Sequence, residues 1–317
     1  MLQSDVEAIC KDIKSLKIQG ARNIAIAAVK ALNLQAQESD ALDFSSFYAD
    51  LLEAADALAA TRPTEPMLRN SLRNAIRFVL LRMKTCAAKK KKCGIANLKK
   101  LMANEEKEYL VNVERNAKRI AEFGAKEIPK DATVLVHCHS STLMGILKRA
   151  YDLDKKIKVI CTETRPKYQG HITAKELSEY GLDVTMIVDS AAESVMHKVD
   201  LVMVGADAIT SKGDLINKIG TAGIAHLAYS HDIKVYSAAE LHKYDPLTLW
   251  GEMERIEERD AKEIADQKEF PKVKISNPAF DLTPAKFISA YVTELGVVAP
   301  QSLLTLAMKE FSVDNPM

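Results

Sequence analysis

Beyond Pro129 the chain settles into one repeating pattern, in which a short run of branched apolar residues is followed by a stretch of helical spacing and then by another run. The runs are TVLVHC, KIKVICTE, DVTMIVD, LVMVGAD and KVYSAAE. Strands this apolar are buried on both faces, and strands separated by helices join in parallel. The pattern therefore predicts an α/β domain built on a doubly wound, mostly parallel, Rossmann-like sheet. KFISAYVTE adds a further strand, and APQSLLTLAMKEF reads as a closing helix.

The first third has a different period. Val6, Ile9, Ile13 and Leu16 share one helical face, and Ser4 and Glu7 stand ahead of them in capping-box spacing. Gly20 interrupts this helix. ARNIAIAAVKAL, FSSFYADLLEAADALAA and MLRNSLRNAIRFVLLRM read as three more, and a long charged helix runs to about Phe123 after the Lys89–Lys92 run, which reads as a solvated turn. No segment here alternates like a strand. A chain of 317 residues suits two domains, and the change of pattern places an all-helical domain at 1–125 and the sheet domain at 126–317.

With 44 Lys+Arg against 43 Asp+Glu, the formal charge is +1. No net field draws such a chain to nucleic acid or to an anionic membrane, so an anionic ligand must be met by local groups. The opening MLQSDVEAICKDIK is charged from its fifth residue and no apolar run reaches the ~18 residues of a membrane span, which points to a cytoplasmic chain. Cys10, Cys86, Cys93, Cys138 and Cys161 include no CxxC pair, consistent with a reducing compartment. No GxGxxG follows a predicted strand, no GxxxxGK[ST] occurs and no His/Cys cluster has zinc spacing, so neither a cofactor nor a metal is expected.

Ligands of open parallel sheets bind beyond the carboxyl ends of the strands. Here those ends carry His137-Cys138, Glu163 with Arg165, Asp189-Ser190, Asp207, and Glu240 leading to Lys243. Five consecutive ionisable strand ends predict a lined cleft. Cys138 alone reads equally as a small buried hydrophobe. Its place beside two histidines and ahead of a helix start, whose dipole favours a thiolate, suggests chemistry instead. Cys161 lies inside a strand and reads as core; Cys10, Cys86 and Cys93 carry no predicted chemistry. In GADAITSKGDLINKIGT, Asn217 and Lys218 precede an alanine-rich helix whose first amides offer a phosphate site. Gly20 and Arg22 in IQGARNIA, and Arg62 in TRPTEP, offer a second anion-binding possibility. A thiol, a carboxylate and two anion sites suggest proton transfer on a phosphorylated small molecule.

ETRPKYQGHITAKEL (163–177), VDSAA (188–192), GADAIT (205–210), INKIGT (216–221) and NPAFDLTP (277–284) together resemble one superfamily. It unites archaeal ribose-1,5-bisphosphate isomerases, methylthioribose-1-phosphate isomerases and the alpha, beta and delta regulatory subunits of translation initiation factor 2B. The resemblance runs from IQGA to YVTELGVV, and ETRPKYQG, ITAKEL and NPAFDLTP resemble the bisphosphate enzymes and an archaeal source. It implies that Cys138 takes the C2 proton and that Asp207, protonated at rest, supplies one to the ring oxygen. A cis-phosphoenolate then leads from ribose 1,5-bisphosphate to ribulose 1,5-bisphosphate in AMP salvage. It implies substrate contacts at Gln19, Gly20, Ala21, Arg22, Arg62, Ser140, Ser141, Thr142, Asn217, Lys218 and Lys243. It also implies a homo-oligomer of dimers, up to a hexamer, with no membrane or nucleic-acid partner. The alternatives are a non-catalytic regulatory subunit, argued against by the retained Cys138 and Asp207, and the methylthio isomerase.

The chain departs from the pattern in two places. RPTEPMLRN replaces the isomerases' RPTAV and leans toward the regulatory relatives, and Gln19 stands where the superfamily has an arginine before Gly-Ala. If that arginine meets a phosphate, Gln19→Arg lowers KM for the bisphosphate and changes kcat less. Steady-state kinetics with an unchanged or raised KM would mean that another cation already holds that phosphate.

Overall fold

The computed structural model describes residues 2–88, 94–251 and 256–311. The turn expected at Lys89–Lys92, with Cys93, lies outside these residues, as does the side chain of Cys86. The chain forms two compact units, 1–115 and 116–317, with the division falling inside a long helix, ahead of the expected boundary at 125/126.

The first unit is helical. It contains α1 (Ser4–Lys14), α2 (Ala21–Glu38), α3 (Phe44–Ala59), α4 (Pro66–Ala88) and the first part of α5 (Ile95–Glu127). Val6 and Ile13 of α1, Ile24 and Leu32 of α2, Phe47 and Leu51 of α3, Leu68 and Leu72 of α4, and Leu98 and Met102 of α5 form one buried core. Each such side chain contributes about 1.5–3 kcal/mol on burial. The capping box expected at Ser4 does not form: the helix starts one residue earlier, with Gln3 at the N-cap and no side-chain cap bond. α3 carries a true cap, Asp43 accepting from the Ser46 amide, and α4 opens on Pro66, which needs no amide partner there.

The second unit is three-layered. Its strands and helices are β1 (Thr133–His137), α6 (Ser141–Asp152), β2 (Lys158–Thr162), α7 (Gln169–Tyr180), β3 (Asp183–Ile187), α8 (Ala192–Val195) and β4 (Leu201–Val204). They continue through β5 (Ala208–Ile209), β6 (Leu215–Lys218), α9 (Thr221–Ser230), β7 (Lys234–Ala238), β8 (Phe280–Thr283), β9 (Ala290–Thr293), β10 (Gly296–Val298) and α10 (Leu303–Phe311). Seven strands form the main sheet in the order β10-β9-β7-β4-β1-β2-β3, all parallel except β10. Alternation along each strand divides the core between two faces. Val134, Val136, Val159 and Cys161 pack with Leu143, Ile146 and Leu147 of α6 on one side, and Leu135, Ile160, Val202 and Val204 pack with Ile224 and Ala228 of α9 on the other.

The sequence pattern did not reveal the second sheet, three short antiparallel strands in the order β5-β6-β8, nor the hairpin strand β10. β6 contains Asn217 and Lys218, expected in a loop before the helix. Its register sets Asn217 opposite Asp281 and Lys218 opposite Phe280.

α7 approaches β2 so closely that a Cβ on Gly170 would lie 1.7 Å from the Thr162 carbonyl oxygen, a backbone atom with no room to yield. Gly170→Ala therefore lowers the urea midpoint by the equivalent of about 3 kcal/mol. A variant as stable as the parent would mean that the start of α7 is free to move.

Candidate active site

Strand order reverses between β1 and β4: β2 and β3 extend the sheet to one side of β1, and β4, β7 and β9 build the other. Such a reversal opens a crevice at the carboxyl ends of the two central strands, because the segments leaving them diverge to opposite faces. Their parallel register pairs His137 with Val204. Cys138 is the first residue past β1, and Gly205-Ala206-Asp207 leave β4 beside it. Gly205 is required by this closeness, since a Cβ there would lie 2.9 Å from the Ser140 Cβ.

Cys138 has a left-handed backbone, φ +68°. A side chain other than glycine held this way costs roughly 1–2 kcal/mol and persists only where its surroundings fix it. Two threonines do so. The Cys138 amide donates to Thr164 Oγ1 at 3.0 Å, and Thr173 Oγ1 donates to the Cys138 carbonyl at 3.0 Å. Both threonines are fully buried. Thr164 is itself left-handed, φ +59°, with its amide and that of Arg165 each donating to Asp189 at 2.7 Å. The Asp189 carboxylate thus organises the loop after β2.

The histidines flanking Cys138 have partners of their own. His137 is buried, with Nδ1 2.6 Å from Thr162 Oγ1 and Nε2 2.8 Å from the Ile219 carbonyl, and burial holds its pKa below the usual value. His139 Nδ1 lies 3.1 Å from Thr173 Oγ1, and its Nε2 is 3.7 Å from Glu176, which also pairs with Lys148 at 2.8 Å.

α6 begins where expected, with Ser140 as N-cap accepting from the Leu143 amide, Ser141 exposed and Thr142 buried. Its dipole does not produce a thiolate at rest. The thiol is pushed up to about 12, first by desolvation and then by the Asp207 charge, while Lys218 and the His139 amide act in the opposite sense. The expectation of a depressed thiol pKa is corrected accordingly: burial in the crevice outweighs the helix terminus. Half-buried Asp207 donates its amide to the Ile216 carbonyl at 2.9 Å. Lys243 is buried and its ammonium donates to the carbonyl of Ala206, the residue before Asp207. Lys218 Nζ stands 5.0 Å from the centre of the Phe280 ring, and buried Asn217 donates to Thr221 Oγ1 at 3.0 Å.

The phosphate site expected on the first amides of α9 is taken by the protein's own anion. Asp281 accepts from the Gly220 amide at 2.7 Å and from the Ala222 amide at 3.2 Å. A phosphate cannot occupy the same donors. Asp281 and the threonines around Cys138 were missed in the sequence because their partners are distant along the chain; the ETRP and NPAFDLTP motifs contained Thr164 and Asp281 without indicating those contacts.

In the first unit, exposed Gln19 donates to the Leu16 carbonyl, and Gly20, φ +83°, is the N-cap of α2. Ala21 is buried, and Arg22 Nη2 donates to the Val113 carbonyl at 3.2 Å. Arg62 is nearly buried and pairs with Glu65 at 3.4 Å. Cys161 is core, as expected, and Cys10 is a free thiol on α1. Among the described residues no group of three or more His, Cys, Asp or Glu side chains is placed to hold a metal ion, and no helix is long and apolar enough to cross a membrane.

Residues 17–300 match the Initiation factor 2 subunit family, and the chain belongs to that family. Within it the chain is 42% identical to the ribose 1,5-bisphosphate isomerase of Thermococcus kodakarensis, over 97% of this chain and 95% of that protein. It is 38% identical to the methylthioribose-1-phosphate isomerase of Desulforamulus reducens, over 96% and 90% of the two chains. The fold superposes on a crystal structure of the Pyrococcus horikoshii translation initiation factor eIF-2B with a TM-score of 0.79, at 29% identity over 94% of this chain and 98% of that one. The 5-methylthioribose 1-phosphate isomerase of the same organism gives 0.71 at 30% identity, over 98% and 88%.

Burial raises Asp281 from 3.8 to about 6, against the pull of the two amides. The folded state therefore keeps a proton that the unfolded chain loses between pH 4 and 6, and ionising Asp281 in place reduces stability as pH rises through that window. Asp281→Asn removes this ionisation and keeps an acceptor for the amides. In urea titrations its stability relative to the parent should rise by on the order of 2 kcal/mol between pH 4 and 6 and stay level above pH 7. A pH-independent difference would mean that Asp281 titrates as in the unfolded chain.

Proposed function

We propose that the chain is a ribose 1,5-bisphosphate isomerase acting in AMP salvage, with Cys138 as the base and Asp207 as the acid. The observation that carries this reading is the thiol and the carboxylate at the ends of the two strands flanking the reversal, with the Lys218 cation acting on the thiol. The identity of about two residues in five to archaeal enzymes of that name supports the substrate.

C1 of the substrate carries a phosphate, so there is no free aldehyde and ring opening must accompany proton movement. The thiolate removes the C2 proton, the C1–C2 double bond forms, the C1–ring oxygen bond breaks, and the ring oxygen takes a proton from Asp207. The resulting cis-phosphoenolate is protonated at C1, and loss of the proton on the C2 oxygen gives the ketose. Burial keeps the proton on the resting thiol, and the reactive form pairs a Cys138 thiolate with a protonated Asp207. Lys218 favours the thiolate. Ser140, Ser141 and Thr142 at the start of α6, with Asn217, Lys218 and Lys243, are proposed to contact substrate, as are Gln19, Gly20, Ala21, Arg22 and Arg62 from the first unit. The enzyme is proposed to be a cytoplasmic homo-oligomer.

A second reading, methylthioribose-1-phosphate isomerase, is favoured by Gln19 in place of a cation and by the relative from Desulforamulus reducens. It keeps the same proton transfers and exchanges one phosphate for a thioether. Turnover of the two substrates side by side, with products identified by NMR, separates the readings. A chain inert toward both would leave the binding role of a regulatory subunit. Cys138→Ser abolishes turnover, because a hydroxyl is too weak a base. Asp207→Asn lowers it by at least ~10²-fold while calorimetry finds substrate affinity retained. Near-normal rates in either variant would remove that residue from its role.

A further inference from the structure

The hydrogen bonds around Cys138 have a fixed direction that can be read from their acceptors. The Ile219 carbonyl can only accept, so the His137 Nε2 bonded to it carries the hydrogen, and neutral His137 accepts at Nδ1. The donor at 2.6 Å is the Thr162 hydroxyl, whose oxygen is then open to Thr164 Oγ1 at 3.2 Å. The Thr164 hydroxyl proton has both Thr162 oxygens as acceptors, the carbonyl at 3.3 Å being the second, and its oxygen accepts the Cys138 amide at 3.0 Å. On the other side Thr173 donates to the Cys138 carbonyl, which leaves its oxygen to accept from His139 Nδ1 at 3.1 Å.

We propose that Thr164 and Thr173 are positioning residues for the reaction, holding Cys138 in its left-handed conformation from both flanking peptide groups, and that the Thr164–Thr162–His137 chain ties that conformation to the turn that follows Lys218. Ile219 follows Lys218 directly, so one run of hydrogen bonds fixes the backbone under the thiol and the backbone beside the ammonium. Gly220 leaves room for it: a Cβ there would lie 3.0 Å from His137 Nε2. With either threonine hydroxyl removed, a buried backbone group of Cys138 loses its partner and the residue relaxes toward an ordinary conformation. Sγ then leaves its water-poor position and its alignment with the C2 proton, and misplacement by about 1 Å suffices to lower a rate by about 10²-fold.

This inference rests on the reading of Cys138 as the base, and the test reads the thiol directly as well as through turnover. Thr164→Val keeps the volume of a fully buried side chain and removes only the hydroxyl. Its kcat should fall roughly 10–100-fold, as a displacement of about that size implies, with KM within about threefold. Alkylation of Cys138 by iodoacetamide at pH 8, followed by mass spectrometry of the peptide so that other cysteines do not interfere, should quicken at least ~3-fold as the thiol becomes hydrated. Thr164→Ser should return both to within about threefold of the parent, because it restores the donor and acceptor. The proposal is overturned if Thr164→Val matches the parent in both measurements, or if Thr164→Ser is no better than Thr164→Val. Should Thr164→Val not fold, Thr173→Val and Thr173→Ser are judged by the same criteria. If the parent itself turns over neither sugar phosphate, the substrate reading fails and the alkylation measurement alone decides the positioning role.

Discussion

The parallel pairing of β1 with β4 is the constraint on which the site depends. It joins strands separated by three crossovers, and its register sets the residue after His137 beside the residue after Val204. A slip of one residue would carry Cys138 past Gly205, drive Ser140 into a different side chain and exchange the faces of Val134, Leu135 and Val136. The alternation of those side chains between two buried layers resists that slip, so core packing fixes the relation of thiol to carboxylate.

On that frame the crevice contains a set of opposing influences on one sulfur. Burial and Asp207 favour the thiol; Lys218 and the His139 amide favour the thiolate. None of them is remote, and each comes from a different strand end or loop. The resting thiol is consequently held protonated, and its reactivity depends on the groups that stabilise the thiolate. A protonated cysteine also resists adventitious oxidation, because the thiolate is the form that oxidants attack.

Much of this was legible in the sequence. The continuous apolar runs foretold six strands of the main sheet, and the polar residues at their ends pointed to Cys138 and Asp207 as candidates, since ligands of parallel sheets bind at strand termini. What the runs did not disclose is instructive. β5, β6 and β8 are two to four residues long, and β6 and β8 carry Asn217, Lys218 and Asp281, so nothing in their composition distinguishes them from loops; pairing across the chain made them strands. Thr164 and Thr173 carry no signal in the sequence, because hydroxyls that bond 26 and 35 positions away leave no local pattern. The expected capping box and the expected phosphate cradle failed for a common reason. Each was a valid local possibility that a neighbouring group, the Gln3 backbone in one case and the Asp281 carboxylate in the other, had already met.

Asp281 has one more consequence. The starts of α6 and α9 both lie at the rim of the crevice, and either could have served as the positive end of a dipole for an incoming anion. By filling α9 with a carboxylate of its own, the protein leaves the rim electrically lopsided. An anion approaching the first turn of α9 meets a charge of its own sign, so the attraction of that helix end is spent inside the protein.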